Sequence, residues 1–516
     1  MTGEDRATSP HGAAETWAIT ASIPYVNAAP HVGFALELIQ ADVLARNRRQ
    51  RGAAVWFQTG SDENSLKNVQ AAQRLGRETA DLVAENAASF AGLWETLNLS
   101  SDDFIRTSAE PRHRRGVERL WRACAAAGDI YSKDYSGLYC IGCERFMKPA
   151  ELEDGRCPLH GTEPDRVAER NYFFRLGRYQ RQLTELLRQD RIQILPARRR
   201  TEILRFIEDG LEDFSISRSI ERAHGWGIPV PDDPGQVMYV WFDALGNYVT
   251  ALDYADDGPL FDRYWQTATE RVHVIGKDIT RFHAIYWPAM LLSAGIALPT
   301  RILVHGFLTV DGRKISKSAG TAIDPAAIVD AVRADALRYY LLRAIRSGED
   351  GDFSLERLES AYRSDLAGQF GNLAHRVLAM TDRYCEGRLP ADDRATLTPL
   401  AEAGASLPDR VNAAIDRFAF HEALAEIWGF IGEANAYVNA TAPWALAKQR
   451  DGAAAADEAR HADAALSACL GGLLSALETI ATVGQPFLPA ACDRLLARLD
   501  PVSPDPDRSP LFPPRP

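Results

Sequence analysis

Two hydrophobic periods alternate along the chain. Residues 17–22 and 55–59 read as strands, and 35–48 between them carries apolar residues at helical spacing, a strand, helix, strand unit that ends at Gly60-Ser61-Asp62. A second unit runs from a strand at 272–275 through Gly276-Lys277-Asp278 into an apolar helix and a strand at 302–310. Strands joined by helices build parallel sheets, which bind ligands beyond the carboxyl ends of their strands. The two units are therefore expected to form halves of one α/β sheet. Residues 112–222, between them, are rich in charge and carry a Cys/His cluster, so they read as an inserted domain. After Ser354 the strand signals stop, and helical spacing recurs over 360–384, 408–440, 462–483 and 486–498. Residues 386–407 form a Pro/Asp/Thr-rich break, and the Pro-rich tail is expected not to fold.

Composition narrows the class. With 516 residues, 46% of them hydrophobic, the chain can fill several cores. No run of 18 or more apolar residues occurs and the N-terminus is polar and acidic, so a cytoplasmic protein with no membrane partner is expected. A net charge of -12 argues against nucleic-acid binding over the whole surface. An RNA partner would use local patches such as Arg112-His113-Arg114-Arg115 or Arg198-Arg199-Arg200, each of which, taken alone, reads first as a solvated helix face. Cys124, Cys385, Cys469 and Cys492 read as small core residues. The odd total of seven cysteines does not suggest a disulfide framework.

The remaining three cysteines cluster. Cys140-Ile-Gly-Cys143 and Cys157-Pro-Leu-His160 present four ligands in two knuckles. Tetrahedral Zn²⁺ takes four such ligands, and two-residue spacers let each pair chelate through a tight turn. Four protein ligands close the coordination sphere, which makes one structural zinc per chain the expectation.

Two stretches carry phosphate chemistry. "PHVG" at 30–33 opens a helix: free amides at a helix start attract phosphate, Gly33 lets the backbone approach, and His31 can donate to an oxygen. Alone, a His-x-Gly tripeptide reads first as a capping or core histidine. Gly312-Arg-Lys314-Ile-Ser316-Lys317-Ser318-Ala-Gly320 follows an apolar strand and forms a cationic loop able to neutralise charge on a leaving pyrophosphate. Its rival reading is a solvated basic turn.

Together these stretches resemble the HIGH and KMSKS signatures of the class I aminoacyl-tRNA synthetases. "TGSDEN", "LYCIGCERF", "NYFFRL", "SISR", "WGIPVP", "YVWFDAL", "VIGKDI", "FHAIYWPAML", "DALRYYLLR" and "GNLAHR", in that order, resemble the methionyl-tRNA synthetases of the bacterial type with one zinc knuckle. The resemblance implies a Rossmann-like parallel-sheet catalytic domain interrupted by a zinc-containing insertion and followed by an all-helical anticodon-binding domain. In detail it implies a disordered 1–15, catalytic halves at 16–111 and 223–300 flanking the insertion at 112–222, a stem-contact region with the lysine loop at 301–354, the helical domain at 355–500 and the tail at 501–516.

The implied activity is ligation of L-methionine to initiator and elongator tRNA(Met) through methionyl-adenylate, with ATP and Mg²⁺ as nucleotide and counterion. A non-catalytic or regulatory tRNA-binding paralogue is the alternative. By the same resemblance His31, Gly33, Lys314, Ser316, Lys317 and Ser318 handle the triphosphate, with His31, Lys314 and Lys317 catalytic, while Gly276 and Asp278 meet the ATP ribose. Ile23, Tyr25, Trp241, Ala244, Leu245, Tyr248, Ile279 and His283 line the methionine slot, and Asp62 takes the ammonium. A flexible thioether needs an apolar slot with a weak polar partner, which points to Tyr248 and His283. Arg218, in "SISR", matches a position linked to the active site. Asn372, Arg376 and Trp444 fall where the family reads the anticodon, by stacking and amide or guanidinium hydrogen bonds to single-stranded bases.

The sequence departs from the family pattern at Phe34, which replaces the second His of the first signature, at Asn64-Ser65, where many relatives have His-Gly, and at Leu245, where some have Pro. Losing one transition-state hydrogen bond costs roughly 3 kcal/mol, or about 10² to 10³ in rate. A working subtype, with the phosphates held by His31, the helix start and the lysine loop, is the expectation. No large editing insertion is present, which fits methionine better than isoleucine, valine or leucine, and no oligonucleotide-binding extension follows, which fits a monomer.

Overall fold

The computed structural model describes residues 14–142, 145–159, 161–315, 323–386, 399–500, 505, 507 and 509–513. They fall into two compact units, one of Met1–Ala29, Ala45–Ala91 and Ser100–Val304, the other of Pro30–Leu44, Gly92–Leu99 and His305–Pro516.

The first unit is built on a six-stranded sheet in the order Asp103–Arg106, Ala54–Ser61, Thr16–Ala21, Glu270–Gly276, Arg301–His305, Gln193–Leu195. Thr16–Ala21 pairs in parallel with both Ala54–Ser61 and Glu270–Gly276, so the two halves read from the sequence do join into one sheet. Both faces of these strands are covered: Ile19 and Val272 on one face, and Ala18 and Ile275 on the other, are all buried.

Strands from residues 112–222 join different sheets. Helix Pro111–Ala126 packs on helix Val240–Thr250, where a Cβ at Gly246 would lie 2.6 Å from Val117 Cγ1, and Gln193–Leu195 forms an edge of the parallel sheet. What is inserted is a four-stranded antiparallel sheet centred on the hairpin of Ile130–Cys140 with Asp165–Phe174, flanked by Arg145–Met147 and Phe214–Ser215. The expected basic patch at 112–115 is neutralised: Arg112 bonds Asp103 and Glu110, Arg114 bonds Glu118, Arg115 bonds Asp256, and His113 is buried. Arg114 and Arg115 thus lie on a solvated helix face, whereas His113 does not.

In the second unit the strand expected at 302–310 is broken. Arg301–His305 ends in the large sheet, whereas Leu308–Val310 pairs with Arg313–Lys314 and Gly351–Phe353 in a three-stranded sheet. Phe307 makes the switch, its N–H donating to Asp350 Oδ1 at 2.8 Å and its carbonyl accepting from Gly351 at 2.9 Å. The helix pattern at 408–440 is likewise two helices, Leu407–Asp416 and Phe420–Thr441, separated where Phe418 takes φ 66°. The expected break at 386–407 contains helix Pro399–Ala405, its residues 387–398 lying outside the described ones. Helix Ala456–Gly484 is long and apolar enough by length and composition to cross a membrane, although it contains no uninterrupted run of 18 apolar residues. Its apolar residues, Leu466, Leu470, Leu473, Leu477 and Ile480 among them, are buried as a core.

The tail expected not to fold is partly docked. Leu511 and Phe512 are buried, Phe512 packs against Tyr362 and Phe370, and the Tyr362 hydroxyl donates to the Pro513 carbonyl at 2.8 Å. Arg494, donating to the Leu511 carbonyl, and Arg498, paired with Asp507, hold it as well.

Candidate active site

In the first unit, helix Val240–Thr250 carries Trp241, Ala244, Leu245 and Tyr248 at the i, i+3, i+4, i+7 spacing of one helical stripe. Trp241 lies flat on Phe282, centroids 3.8 Å apart and planes 6° from parallel, and meets Tyr25 edge-on at 6.5 Å. His283, on the π-helical turn Phe282–Tyr286, is buried with Tyr248, and the two meet at 2.6 Å. Its Nδ1 lies 3.0 Å from the Ile279 carbonyl, which can only accept. In the neutral ring the proton is therefore on Nδ1, and the Tyr248 hydroxyl donates to Nε2. Ile23, half-buried, follows strand Thr16–Ala21, and Leu245 sits in the hydrophobic core.

His273 was not singled out by sequence. It is fully buried, with its ring 4.2 Å from Tyr248 and 5.6 Å from His283. The Trp287 indole N–H donates to its Nε2 at 3.2 Å, so Nδ1 carries the proton and donates to Thr20 Oγ1 at 2.7 Å. Burial, helped by the neighbouring His283, holds its pKa well below the ordinary histidine value. The only signal in the sequence is a polar residue inside the apolar run 272–275.

Asp62 sits at the end of strand Ala54–Ser61, where it bridges to Tyr25 and its N–H donates to the Pro24 carbonyl at 2.8 Å. Asn68 Nδ2 donates to the carbonyls of Asp62 and Glu63, at 3.1 and 2.9 Å. Lys67 Nζ stands 4.2 Å over the Tyr25 ring. Gly276 and Asp278 follow strand Glu270–Gly276, Gly276 buried and Asp278 exposed on the turn Lys277–Ile279. Arg218 is buried between Tyr139 and Tyr239 and donates to the Tyr139 hydroxyl at 2.8 Å.

The phosphate-side residues belong to the second unit. Helix Val32–Gln50 begins just after His31, whose Nδ1 accepts from the Gly33 N–H at 3.1 Å. The neutral imidazole then carries its proton on Nε2, the donor a phosphate oxygen needs. Phe34 packs against the same ring, centroids 5.0 Å apart. Both flanks of the lysine loop reach this helix start: a Cβ at Gly33 would lie 3.6 Å from Ile315 Cδ1, and the Val32 N–H donates to the Ile323 carbonyl at 3.0 Å. The Lys314 backbone is in strand Arg313–Lys314, while Ser316, Lys317 and Ser318 lie outside the described residues. Further along the helix, Glu37 bonds His305 Nε2 at 2.8 Å.

Of the four zinc candidates, Cys143 and His160 lie outside the described residues. Cys140 and Cys157 are buried in one small cluster with Met147, and the chain after Cys157 folds back on itself, Gly161 N–H donating to the Cys157 carbonyl at 2.7 Å. Two buried thiols beside a tight turn suit a closed zinc site. In the helical region Asn372 and Trp444 are exposed and Arg376 donates to Asn439 Oδ1 at 3.2 Å. Trp444 is 45% exposed at the start of helix Pro443–Gly452, so it is not a core residue.

A parallel α/β core carrying the aromatic cluster of Trp241, Tyr248, Phe282 and His283 in the first unit, and a His-x-Gly helix start flanked by strand Arg313–Lys314 in the second, are the features of a class I synthetase. The chain matches the family described as "tRNA synthetases class I (M)" over residues 17–158 and 142–378. It is 42% identical over 489 residues to the methionine--tRNA ligase of Brucella suis, covering 93% of this chain and 91% of that protein. It is 42% identical over 488 residues to that of Mycobacterium tuberculosis, with the same coverage. Among solved structures, Mycobacterium tuberculosis methionyl-tRNA synthetase in complex with methionyl-adenylate matches with a TM-score of 0.89 at 39% identity, over 97% of this chain and all of that one. Its apo form matches with 0.80 at 37% identity, over 96% and 94%. The chain belongs to the methionyl family of the class I tRNA synthetases.

Proposed function

We propose that the chain is a methionine–tRNA ligase that activates L-methionine with ATP and transfers it to the 3′ end of tRNA(Met), initiator and elongator alike. The observation that carries this reading is the buried Tyr248–His283 pair next to the stacked Trp241 and Phe282. Methionine sulfur is a weak acceptor that competes with His283 for the Tyr248 proton, and a methylene cannot do so. Asp62 takes the ammonium, Tyr25, Ile23, Ala244, Leu245 and Ile279 complete the slot, and Gly276 and Asp278 hold the nucleotide ribose.

In the first step the methionine carboxylate attacks the α-phosphorus and pyrophosphate leaves. No covalent enzyme intermediate forms, so positioning and charge stabilisation carry the rate. His31 Nε2, the amides near Gly33 and the loop Lys314 to Ser318, with Lys317 foremost, receive the growing charge. In the second step a hydroxyl of the terminal tRNA ribose attacks the carbonyl of the adenylate and AMP leaves. Mg²⁺, bound with ATP, supplies charge neutralisation on the phosphates. Zn²⁺ held by Cys140, Cys143, Cys157 and His160 would crosslink the two knuckles. Asn372, Arg376 and Trp444 read the anticodon, on a chain taken as a cytoplasmic monomer. The domain division is read as a sheet-based catalytic part with a zinc insertion, and a helical anticodon-binding part.

Pyrophosphate exchange into ATP, run with all twenty amino acids, tests the reading: exchange should depend on methionine, and His31→Ala and Lys317→Ala should each remove most of it. Phe34→His is expected to be near neutral or mildly activating. Wild-type rates in both alanine variants would sink the assignment, and no exchange with any amino acid would favour the binding paralogue.

A further inference from the structure

The departures at Asn64 and Ser65 both have work to do in this fold. Ser65 caps helix Leu66–Leu75, its side chain accepting from the Lys67 N–H at 3.0 Å. Asn64 Nδ2 donates to Asp243 Oδ2 at 2.6 Å, with its second hydrogen toward the Thr107 carbonyl at 3.4 Å. Both partners only accept, which fixes the amide orientation. Asp243 Oδ1 accepts from His113 Nε2 at 2.5 Å, and His113 Nδ1 bonds Thr250 Oγ1 at 2.7 Å. Asp243, His113 and Thr250 are fully buried. Asp243 stands between Trp241 and Ala244 on helix Val240–Thr250, and Asn64 follows Asp62 by two residues in a loop pinned by Asn68.

We propose that Asn64, through Asp243, is a positioning residue for methionine, coupling the ammonium-side loop to the thioether-side helix. This rests on the ligase reading. The Asn64 amide bonds Asp243 and the Thr107 carbonyl, neither of them among the residues assigned to the nucleotide, so its loss should misplace one substrate only. The experiment is pyrophosphate exchange by Asn64→Ala and Asn64→Asp, the second keeping the volume while setting a carboxylate against Asp243. Each should raise the methionine KM about tenfold, with kcat and the ATP KM within about twofold. Asn64→His, which restores a donor, should recover most of the loss. An unchanged methionine KM in both variants would overturn the proposal, as would equal damage to both substrates with no rescue by histidine, the pattern of a merely structural role. Absence of methionine-dependent exchange in the unsubstituted protein would overturn the ligase reading itself, which keeps the two failures distinguishable.

Discussion

A Cβ at position 33 would lie 2.9 Å from His31 Cε1 and 3.0 Å from its Nδ1. The glycine is what lets the imidazole fold back over the helix start and accept the Gly33 N–H, leaving Nε2 as donor. Gly33→Ala should turn the ring away while the helix persists. A displacement on the order of 1 Å at a reacting group costs about 10²-fold. Pyrophosphate exchange should therefore drop by about that factor while the melting temperature stays within a few degrees, which exchange and thermal unfolding together measure. The pattern His-x-Gly was legible in the sequence, but the direction of the ring proton was not, because it depends on which amide the side chain meets. The same holds for Tyr248 and His283: their residue types suggested a polar end to an apolar slot, and only the Ile279 carbonyl fixes which of them donates. Phe34, read as a lost hydrogen bond, packs its ring on His31 instead.

Strand Glu270–Gly276 shows what periodicity can and cannot give. Its burial was readable from an apolar run, but His273 within it was invisible as a partner of Thr20 and Trp287, which lie on other elements. Its titration gives a pH dependence. Above about pH 6.5 both folded and unfolded states hold this histidine neutral. Below that the unfolded chain takes a proton the buried ring refuses, so stability falls as pH falls, by at most about 1.4 kcal/mol per unit. His421 is lowered by burial too and adds to the same trend. The melting temperature should decline from pH 7 to 5, and His273→Gln should flatten the slope. Element boundaries were less legible than element types. Residues 302–310 read as one strand because both pieces are apolar, and 408–440 read as one helix because helical spacing continues past Phe418. Hydrophobic period records burial, and it does not record which sheet does the burying.

At the scale of the chain, distant segments complete one another. Arg338 and Asp42, both fully buried, pair at 2.7 Å, and the guanidinium also donates to the carbonyls of Leu97, Pro486 and Phe487. The sequence offered Arg338 only as a residue of "DALRYYLLR", and nothing local to it names a partner 296 positions away (338 − 42). Removing one member strands the other charge, so Asp42→Ala should destabilise by about 3–5 kcal/mol in denaturant titration. The zinc candidates were suggested by local spacing, whereas Asn372, Arg376 and Trp444 were suggested only by the family resemblance, because residues so far apart form no local pattern. The sheet at the centre has a different consequence, one of timing. Thr16 and Thr269, which bond across neighbouring strands, are 253 residues apart. At about 5–20 residues per second a ribosome needs roughly 13–50 s to deliver the second after the first. Throughout that interval the Thr16–Ala21 strand has one side without its neighbour, an unpaired apolar edge of the kind that seeks other strands. Shielding of the nascent chain is thus a requirement written into the order of the strands.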